Sequence, residues 1–173
     1  MKDAGFKNNI VLIGFMGSGK TSTGDKLARA LNLQFLDTDQ RLEQEFGCSI
    51  SDYFAKEGEE AFRRKETELL QKMAESLKGT VLATGGGMPL RAENVELLKQ
   101  IGAVYYLKAS KETTLGRLRE DTTRPLLAGD GMNEKIERLL SIRVPIYTAA
   151  ADYIIETDGK SYYELIKEIE KTL

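Results

Sequence analysis

The chain has 173 residues, of which 41% are hydrophobic and 30% charged, and its formal net charge is −2. This length predicts one domain that folds without disulfides or metal, and the slight acidic excess argues against a general nucleic-acid binder. The absence of histidine and the single cysteine, Cys48, exclude a histidine-dependent catalytic triad, an intrachain disulfide and a cysteine-rich zinc site.

The apolar stretches of the chain bear on where the protein works. Residues 1–9 contain no apolar run typical of a signal peptide, and the longest apolar stretch, residues 10–16, is far shorter than the roughly 20 residues of a membrane span. We therefore expect a cytoplasmic protein without a membrane or nucleic-acid partner. No repeat, linker or low-complexity segment divides the sequence, so we expect a single domain over residues 1–173, and a monomer.

Short apolar runs alternate with segments of helical periodicity. The apolar runs predict strands over residues 10–13, 34–36, 80–83, 103–107 and 153–155. Apolar residues at helical spacing predict helices over 20–31, around 42–46, over 59–77, 91–100 and 110–119, after a cap at Asn133, and over 161–173. Residues 121–133 contain Pro125 and two glycines and predict a loop. The alternation predicts an α/β fold, a mostly parallel sheet with helices on both faces.

Residues Gly14–Thr21 (GFMGSGKT) match the phosphate-binding pattern G-x-x-x-x-G-K-[ST] between a predicted strand and a predicted helix. The glycines of such a loop let backbone N–H groups surround phosphate oxygens, and the helix N-terminus adds partial positive charge. Lys20 would reach the β- and γ-phosphates, and the Thr21 hydroxyl would ligate Mg²⁺. The motif predicts a protein that binds a nucleoside triphosphate.

Two aspartates after the second predicted strand are the candidates for metal and acceptor chemistry. The chain lacks the N-K-x-D and D-x-x-G motifs of GTPases, and its third and fourth strands end without the carboxylate that larger ATPases use. Asp37 and Asp39 lie where open α/β sheets bind ligands. One could face Mg²⁺ through water while the other orients and deprotonates an acceptor hydroxyl, or either could simply cap the following helix.

Three arginines and a glycine triplet are candidates for binding anions. Arg143 falls on the apolar stripe of its predicted helix, where a buried cation calls for an anionic partner, although its head could instead reach water. Arg124 lies either on a lid over residues 119–132 or in an exposed loop, and Arg63 could belong to a solvated helix face. Gly85–Gly87 could let a ligand approach the backbone or could form a tight turn.

Taken in order, these motifs resemble the shikimate kinase family over nearly the whole chain. The match comprises GFMGSGKT at 14–21, DTD at 37–39, FR at 62–63 with Glu66, GGG at 85–87, RPLL at 124–127, and RVPIY at 143–147 followed by Ala150. The resemblance implies a three-layer P-loop fold similar to nucleoside-monophosphate kinases, with a central five-stranded parallel sheet. It also implies transfer of the ATP γ-phosphoryl group to the 3-hydroxyl of shikimate, giving shikimate 3-phosphate and ADP. This reaction belongs to chorismate and aromatic amino-acid biosynthesis.

The resemblance also assigns a role to each matching position. ATP would be held by the residues Gly17, Ser18, Gly19, Lys20, Thr21, Ser22, Arg117, Arg124 and Asp158. Shikimate would be held by Asp39, Arg63, Gly85, Gly86, Gly87 and Arg143, with residues 37–64 as the substrate-binding region. Thr21 and Asp37 would hold Mg²⁺, and Lys20, Asp39 and Arg124 would act in catalysis. A mobile lid over residues 119–132 would bring Arg124 onto both phosphate and substrate.

Other functions remain as alternatives to this assignment. The main one is another small-molecule P-loop kinase, such as a gluconate or nucleoside-monophosphate kinase. A P-loop module that controls a partner through its nucleotide state would need switch segments that the sequence lacks. An inactive relative is disfavoured by the presence of Lys20, Asp39 and Arg124.

Overall fold

The computed structural model describes residues 8–120 and 131–173, in which a five-stranded parallel sheet is packed between helices. The strands are β1 (Ile10–Ile13), β2 (Gln34–Asp37), β3 (Thr80–Ala83), β4 (Ala103–Lys108) and β5 (Tyr153–Glu156). The helices are α1 (Lys20–Leu31), α2 (Thr38–Phe46), α3 (Ile50–Glu57), α4 (Glu59–Ser76), α5 (Ala92–Ile101), α6 (Lys111–Leu118), α7 (Met132–Ala150) and α8 (Tyr162–Glu170). A short 3-10 helix covers Met88–Leu90.

The strand order across the sheet is β2-β3-β1-β4-β5, and every neighbouring pair is parallel. The central strand, β1, is buried along its whole length, and its Val11 pairs with Leu82 of β3 and Val104 of β4. Because all strands run in one direction, the segments that follow them meet at one edge of the sheet, where such folds bind ligands. That edge carries the GFMGSGKT, DTD and GGG segments.

Alternate side chains of the central strand enter two separate apolar cores. Val11 and Ile13 pack with residues of α4, α5 and α7, whereas Ile10 and Leu12 pack with residues of α1 and α8. A strand that is buried on both faces needs apolar residues at every position, which is why β1 reads as a continuous apolar run. The three-layer α/β architecture and the five-stranded parallel sheet are therefore confirmed.

Two details of the predicted helices are corrected by the structure. Helix α7 begins at Met132 behind Gly131, so the predicted cap at Asn133 is wrong and Asn133 lies in the first helical turn. Gly131 has a φ of 80°, a left-handed conformation that glycine adopts at little cost. Helix α8 is shorter than the predicted 161–173, because Ser161 is its N-cap, with a capping box to Glu164, and the helix ends at Glu170.

Helix α3 is an element that the sequence reasoning missed. It is only eight residues long, and its apolar residues Ile50, Tyr53 and Phe54 are partly buried against the core. A local signal was present, because Ser49 accepts a hydrogen bond from the Asp52 backbone N–H, as an N-cap does. The part of the chain that the structure describes contains no helix long and apolar enough to cross a membrane.

Asn9 joins four segments at the edge of the sheet opposite the motifs. Its side-chain amide donates to the carbonyl oxygens of Leu77 (2.8 Å) and Ile101 (2.9 Å) and accepts from the Thr80 N–H (3.0 Å). These contacts connect the start of β1 to the ends of α4 and α5 and to the start of β3. Asn9, Thr80 and Ile101 are buried and Leu77 is partly buried, and a buried backbone group that loses its partner is costly.

We expect Asn9→Ala to lower the free energy of unfolding by about 2–4 kcal/mol, because it leaves a buried N–H, a buried carbonyl and a partly buried carbonyl without this partner. Urea unfolding at neutral pH measures the change. The matched control is Asn133→Ala, an exposed position in α7 that should change stability by less than about 0.5 kcal/mol. Equal losses in the two variants would contradict this role for Asn9.

Candidate active site

The GFMGSGKT segment forms a loop between β1 and α1 at the middle of the sheet. The Ser18 N–H donates to the Phe15 carbonyl at 3.1 Å, and Gly19 takes a left-handed conformation (φ 88°) as it begins α1. No side chain among the described residues caps this helix start, which leaves its N–H groups directed at the space beyond the loop. This geometry is that of an anion-binding helix N-terminus.

Lys20 lies against the loop it belongs to. Its ammonium group donates to the carbonyl oxygens of Gly14 (2.7 Å) and Phe15 (2.9 Å), and the side chain is almost wholly buried. These two carbonyl oxygens therefore bind the ammonium group beside the loop in which a phosphate group would lie. Ser18 is also buried, and its hydroxyl has no hydrogen-bond partner among the described residues.

Asp37 makes the helix-capping contact that the sequence left open, and it makes a second contact with Thr21. One carboxylate oxygen caps α2 by accepting from the N–H groups of Asp39 (2.9 Å) and Gln40 (3.2 Å). The other oxygen accepts from the Thr21 hydroxyl at 2.6 Å. Capping fixes the orientation of the carboxylate, so a hydroxyl and a carboxylate oxygen lie side by side at the mouth of the loop. Hard oxygen ligands of this kind are those that Mg²⁺ prefers.

A cleft beside the loop is lined by all of the predicted shikimate-binding side chains. It holds about 510 Å³ of space between protein atoms, part of it open to solvent. The lining residues are Met16, Asp39, Ile50, Phe54, Phe62, Arg63, Glu66, Gly85, Gly86, Gly87 and Arg143. Two cations, two carboxyl groups and an aromatic wall in one cleft suit a small ligand that has a carboxylate, hydroxyl groups and an apolar face.

Arg63 is held in the cleft by a buried acid on its own helix. Its guanidinium donates to Glu66 at 2.6 Å and to the more exposed Glu59 at 3.5 Å, and only 9% of the residue is exposed. Glu66 is fully buried, and its second carboxyl oxygen has no hydrogen-bond partner among the described residues. Burial raises the pKa of Glu66 to about 7, although the positive charge of Arg63 opposes this rise.

Arg143 enters the same cleft from α7 and is 4% exposed. Its guanidinium lies over the Phe15 ring, 5.6 Å from the centroid, and its positive charge lowers the pKa of the Tyr147 hydroxyl against the larger effect of burial. The apolar stripe predicted it to be buried, and this is confirmed. Two arginines on different helices thus line one cleft, and a buried cation favours an anionic ligand.

A second cavity lies next to the cleft and leads to the phosphate-binding loop. Its lining residues are Met16, Gly17, Gly19, Lys20, Thr21, Ser22, Asp37, Asp39, Thr84 and Gly86. Met16, Asp39 and Gly86 line both cavities, so these three residues form the boundary between them. A phosphate group in the second cavity would face a ligand of the cleft across Asp39.

A third cavity, on the other side of the loop, contains Arg117 and Ser22 but not Asp158. Arg117 donates to the Gly17 carbonyl at 2.8 Å and so lies directly over the loop. Thr157 lines the cavity, whereas the neighbouring Asp158 carboxylate accepts from the Ser110 N–H at 3.1 Å. Hydrogen bonds from Ser110 hold the pKa of Asp158 below its usual value. Asp158 therefore joins the loop after β5 to α6 in this structure.

The residues that the structure describes do not include all of the predicted site, and the cavities are lined by further residues. Arg124 and most of the predicted lid, residues 121–130, lie outside the described residues. Several lining residues had no role in the sequence reasoning: Met16, Ile50, Phe54, Phe62, Glu66 and Thr84. Glu66 stands three residues after Arg63, a spacing that places both on one helix face and could have indicated the pair. Ile50 and Phe54 belong to α3, the helix that was missed.

Glu66 predicts a pH-dependent contribution to stability. Because its pKa is about 7 in the folded protein and about 4.5 in the unfolded chain, the folded state binds the proton more tightly. The contribution is fully present below pH 4.5 and is lost as the pH rises to 7, on the order of 3 kcal/mol in total. Urea unfolding between pH 4.5 and 8 should show this decline in the wild type and a flatter profile in Glu66→Gln.

The matched control for this experiment is Glu68→Gln, whose side chain on the same helix is half-exposed and pairs with Lys65 at 3.0 Å. It should keep the wild-type pH profile. If the wild type and Glu66→Gln lose stability in parallel over this range, the Glu66 carboxyl titrates in the folded protein as it does in the unfolded chain.

Comparisons with known proteins agree with the geometry of the site. A family model described as shikimate kinase matches residues 16–173. The shikimate kinase of Thermodesulfovibrio yellowstonii is 44% identical over 163 residues, covering 94% of this chain and 93% of the relative, and that of Thioalkalivibrio sulfidiphilus is 42% identical, covering 95% and 86%. The structure of shikimate kinase from Acinetobacter baumannii in complex with shikimate superimposes with a TM-score of 0.90 at 42% identity, covering 95% of this chain and 92% of that one. The chain belongs to the shikimate kinase family.

Proposed function

We propose that this chain transfers the γ-phosphoryl group of ATP to the 3-hydroxyl of shikimate, forming shikimate 3-phosphate and ADP in chorismate and aromatic amino-acid biosynthesis. The observation that carries the proposal is the cleft lined by Arg63, Arg143 and Asp39, which shares a boundary with the cavity of the phosphate-binding loop. Shikimate has one carboxylate and three hydroxyl groups on a small ring; the two arginines suit the carboxylate, and Asp39 supplies acceptors for hydroxyl groups.

The two arginines bind the carboxylate in this proposal. Both are nearly buried, so their attraction for an anion is weakly screened, and planar guanidinium groups can donate two parallel hydrogen bonds to a carboxylate. Phe54 and Phe62 line the cleft beside them and offer apolar surface to the carbon ring. Gly85–Gly87 lack side chains and let the substrate approach the backbone.

Asp39 acts at the boundary between the two cavities. A carboxylate there accepts hydrogen bonds from the substrate hydroxyls, orients the one that reacts and takes its proton as the phosphoryl group is transferred. In this proposal the reacting hydroxyl faces the cavity of the phosphate-binding loop. Its O–H bond breaks as the proton passes to Asp39, its oxygen bonds to the γ-phosphorus, and the bond from that phosphorus to the bridging oxygen breaks, which releases ADP.

The loop and its surroundings bind the nucleotide. Residues 17–22 donate backbone and side-chain hydrogen bonds to the phosphates, and Lys20 moves from the loop carbonyls to neutralise charge that develops on the γ-phosphate. Arg117 and the third cavity receive the nucleoside. Asp158 contributes to nucleotide binding indirectly, because its hydrogen bond with Ser110 positions the loop after β5. Arg124 would add positive charge from the proposed lid over residues 119–132.

Thr21 and Asp37 hold Mg²⁺ in this proposal. No group of three or more acidic or cysteine side chains suited to a metal exists in the described ranges, which agrees with an ion held mainly by phosphate oxygens and water. When bound, Mg²⁺ neutralises phosphate charge and orients the phosphates for transfer. The Thr21 hydroxyl and one carboxylate oxygen of Asp37 are already adjacent, so little rearrangement is needed to bind Mg²⁺.

The test of the proposed function is a coupled assay of ADP formation with ATP, Mg²⁺ and one acceptor at a time. Shikimate should stimulate ATP turnover far more than gluconate, AMP or CMP. The arginine pair recognises a carboxylate, and the apolar wall favours a ring over an open-chain acid. Equal or greater stimulation by any of the other acceptors would remove the assignment and favour the corresponding kinase.

We expect Asp39→Asn to abolish turnover, with kcat reduced by about 10²–10⁴-fold, while the protein remains folded. The amide keeps the shape of the side chain but cannot take the proton. Steady-state kinetics with saturating ATP measure the loss, and the matched control, Asp25→Asn in the more exposed Asp25–Arg29 pair of α1, should keep normal kcat. Near-normal kcat in the Asp39 variant would mean that this carboxylate does not act as the base.

We expect Arg143→Ala to raise the KM for shikimate by about a hundredfold with little change in the KM for ATP, because it removes one partner of a desolvated charge pair. Arg143→Lys should also be impaired, because the compact ammonium group of lysine cannot donate the two parallel hydrogen bonds of a planar guanidinium. The control is Arg138→Ala, an exposed arginine on the same helix, which should leave both constants unchanged. A lower melting temperature with unchanged shikimate affinity would assign Arg143 a purely structural role.

A further inference from the structure

The turn that follows β3, residues Gly85–Met88, contacts every helix that carries a polar substrate-binding side chain. Asp39 comes from α2, Arg63 from α4 and Arg143 from α7. These three residues are far apart in the sequence, yet their charged groups must be positioned around one small ligand with a precision of about half an ångström. We propose that Tyr147, Thr38 and Asn94 are positioning residues that fix these three side chains to the turn by buried hydrogen bonds. This inference rests on the function proposed above.

Tyr147 links Arg143 to the turn. Its hydroxyl donates to the Gly86 carbonyl at 2.5 Å, and Arg143 stands one helical turn earlier on α7, with a guanidinium nitrogen 3.5 Å from the position of a β-carbon built on Gly86. The tyrosine is fully buried, and burial raises its pKa to about 12, so it remains a donor at neutral pH. Without this hydroxyl, the part of α7 that carries Arg143 loses its hydrogen bond to the backbone of the substrate cleft.

Thr38 links the aspartate to the same turn. Its buried hydroxyl accepts from the Gly85 N–H at 3.0 Å, and the next residue along the chain is Asp39. The fit is close, because a β-carbon built on Gly85 would lie 2.6 Å from a carboxylate oxygen of Asp39. A small shift of the turn would therefore move the carboxylate relative to the acceptor hydroxyl.

Asn94 links the turn to the helix of Arg63. Its side chain is fully buried, and its amide donates to the Met88 carbonyl at 2.9 Å while its oxygen accepts from the Thr67 hydroxyl at 2.7 Å. Thr67 also donates to the Arg63 carbonyl, at 3.3 Å. A β-carbon on Gly87 would overlap the Arg63 guanidinium, so the turn and this arginine are in direct contact.

The three links share one property that separates them from ordinary core packing. Each joins the backbone of the turn to the helix of a different substrate-binding residue, and none of the three linking residues lines the cleft itself. Their removal should therefore alter how the substrate is held without removing any group that touches it. Such an effect appears in substrate kinetics and leaves the affinity for ATP unchanged.

The first test is Tyr147→Phe, which removes one hydroxyl and keeps the ring. We expect the KM for shikimate to rise about tenfold with an unchanged KM for ATP. The matched control is Tyr106→Phe, because the Tyr106 ring is also buried and packs on Tyr147 with centroids 5.2 Å apart, and its kinetics should equal those of the wild type. A Tyr147 variant that loses thermal stability but keeps the wild-type KM for shikimate would overturn the inference.

The second test compares Thr38→Val with Thr38→Ser, which also decides the question if Tyr147→Phe does not fold. Valine leaves the Gly85 N–H without an acceptor and should lower kcat about tenfold through the displaced Asp39, whereas serine keeps the hydroxyl and should restore kcat. The control is Thr114→Val, since the buried Thr114 hydroxyl has no hydrogen-bond partner among the described residues. Equal kcat values in the valine and serine variants would overturn the inference.

These outcomes are distinguishable from a failure of the proposed function. If the wild-type protein does not phosphorylate shikimate, the proposed function fails and this inference fails with it. If the wild type is active and the Tyr147 and Thr38 variants match it, the proposed function stands and only the positioning roles are wrong.

Discussion

Two nearly buried guanidinium groups are the constraint on which the rest of the cleft depends. A buried cation is stable only if nearby groups compensate for lost water. Glu66 pairs with Arg63, and the face of Phe15 lies against Arg143. The raised pKa of Glu66 reflects the same constraint, because the pairing does not fully offset the cost of burying its charge. Cations that their neighbours hold in place suit an anionic ligand, because little reorganisation is needed to bind it.

The parallel sheet solves a second problem, the convergence of remote segments. The segments after β1, β2 and β3 supply the phosphate-binding loop, the aspartate pair and the glycine turn, and all three meet because parallel strands end at one edge. Helices α4 and α7 then bring the arginines to this edge from one face of the sheet. Asn9 holds the opposite edge together, where the strands begin. Stability and ligand binding are therefore concentrated at opposite ends of the same strands.

Asp37 illustrates how one side chain can serve structure and function together. The sequence left open whether it caps a helix or faces a metal; one carboxylate oxygen caps α2, and the other accepts from the hydroxyl of Thr21, the second residue proposed to hold Mg²⁺. The cap makes the carboxylate rigid, and rigidity favours a metal with strict octahedral geometry. The glycine turn also serves two purposes. Its lack of side chains allows Asp39 and Arg63 to approach the backbone, and its Gly85 N–H donates to Thr38, the residue before Asp39.

The sequence by itself predicted the fold class, the family and most of the charged residues of the candidate site. These features depend on local patterns: apolar runs of strand length, the spacing of GFMGSGKT, and an arginine on an apolar stripe. Helix α3 was missed because a helix of eight residues offers few apolar positions from which to recognise a period, and the start of α7 was misjudged because Gly131 competes with Asn133 for the cap. Only the tertiary structure decided the partners, such as Glu66 for Arg63, Tyr147 for Gly86 and Asn94 for Met88. Hydrogen bonds between distant segments depend on how helices pack against the sheet, and local sequence patterns do not carry that information.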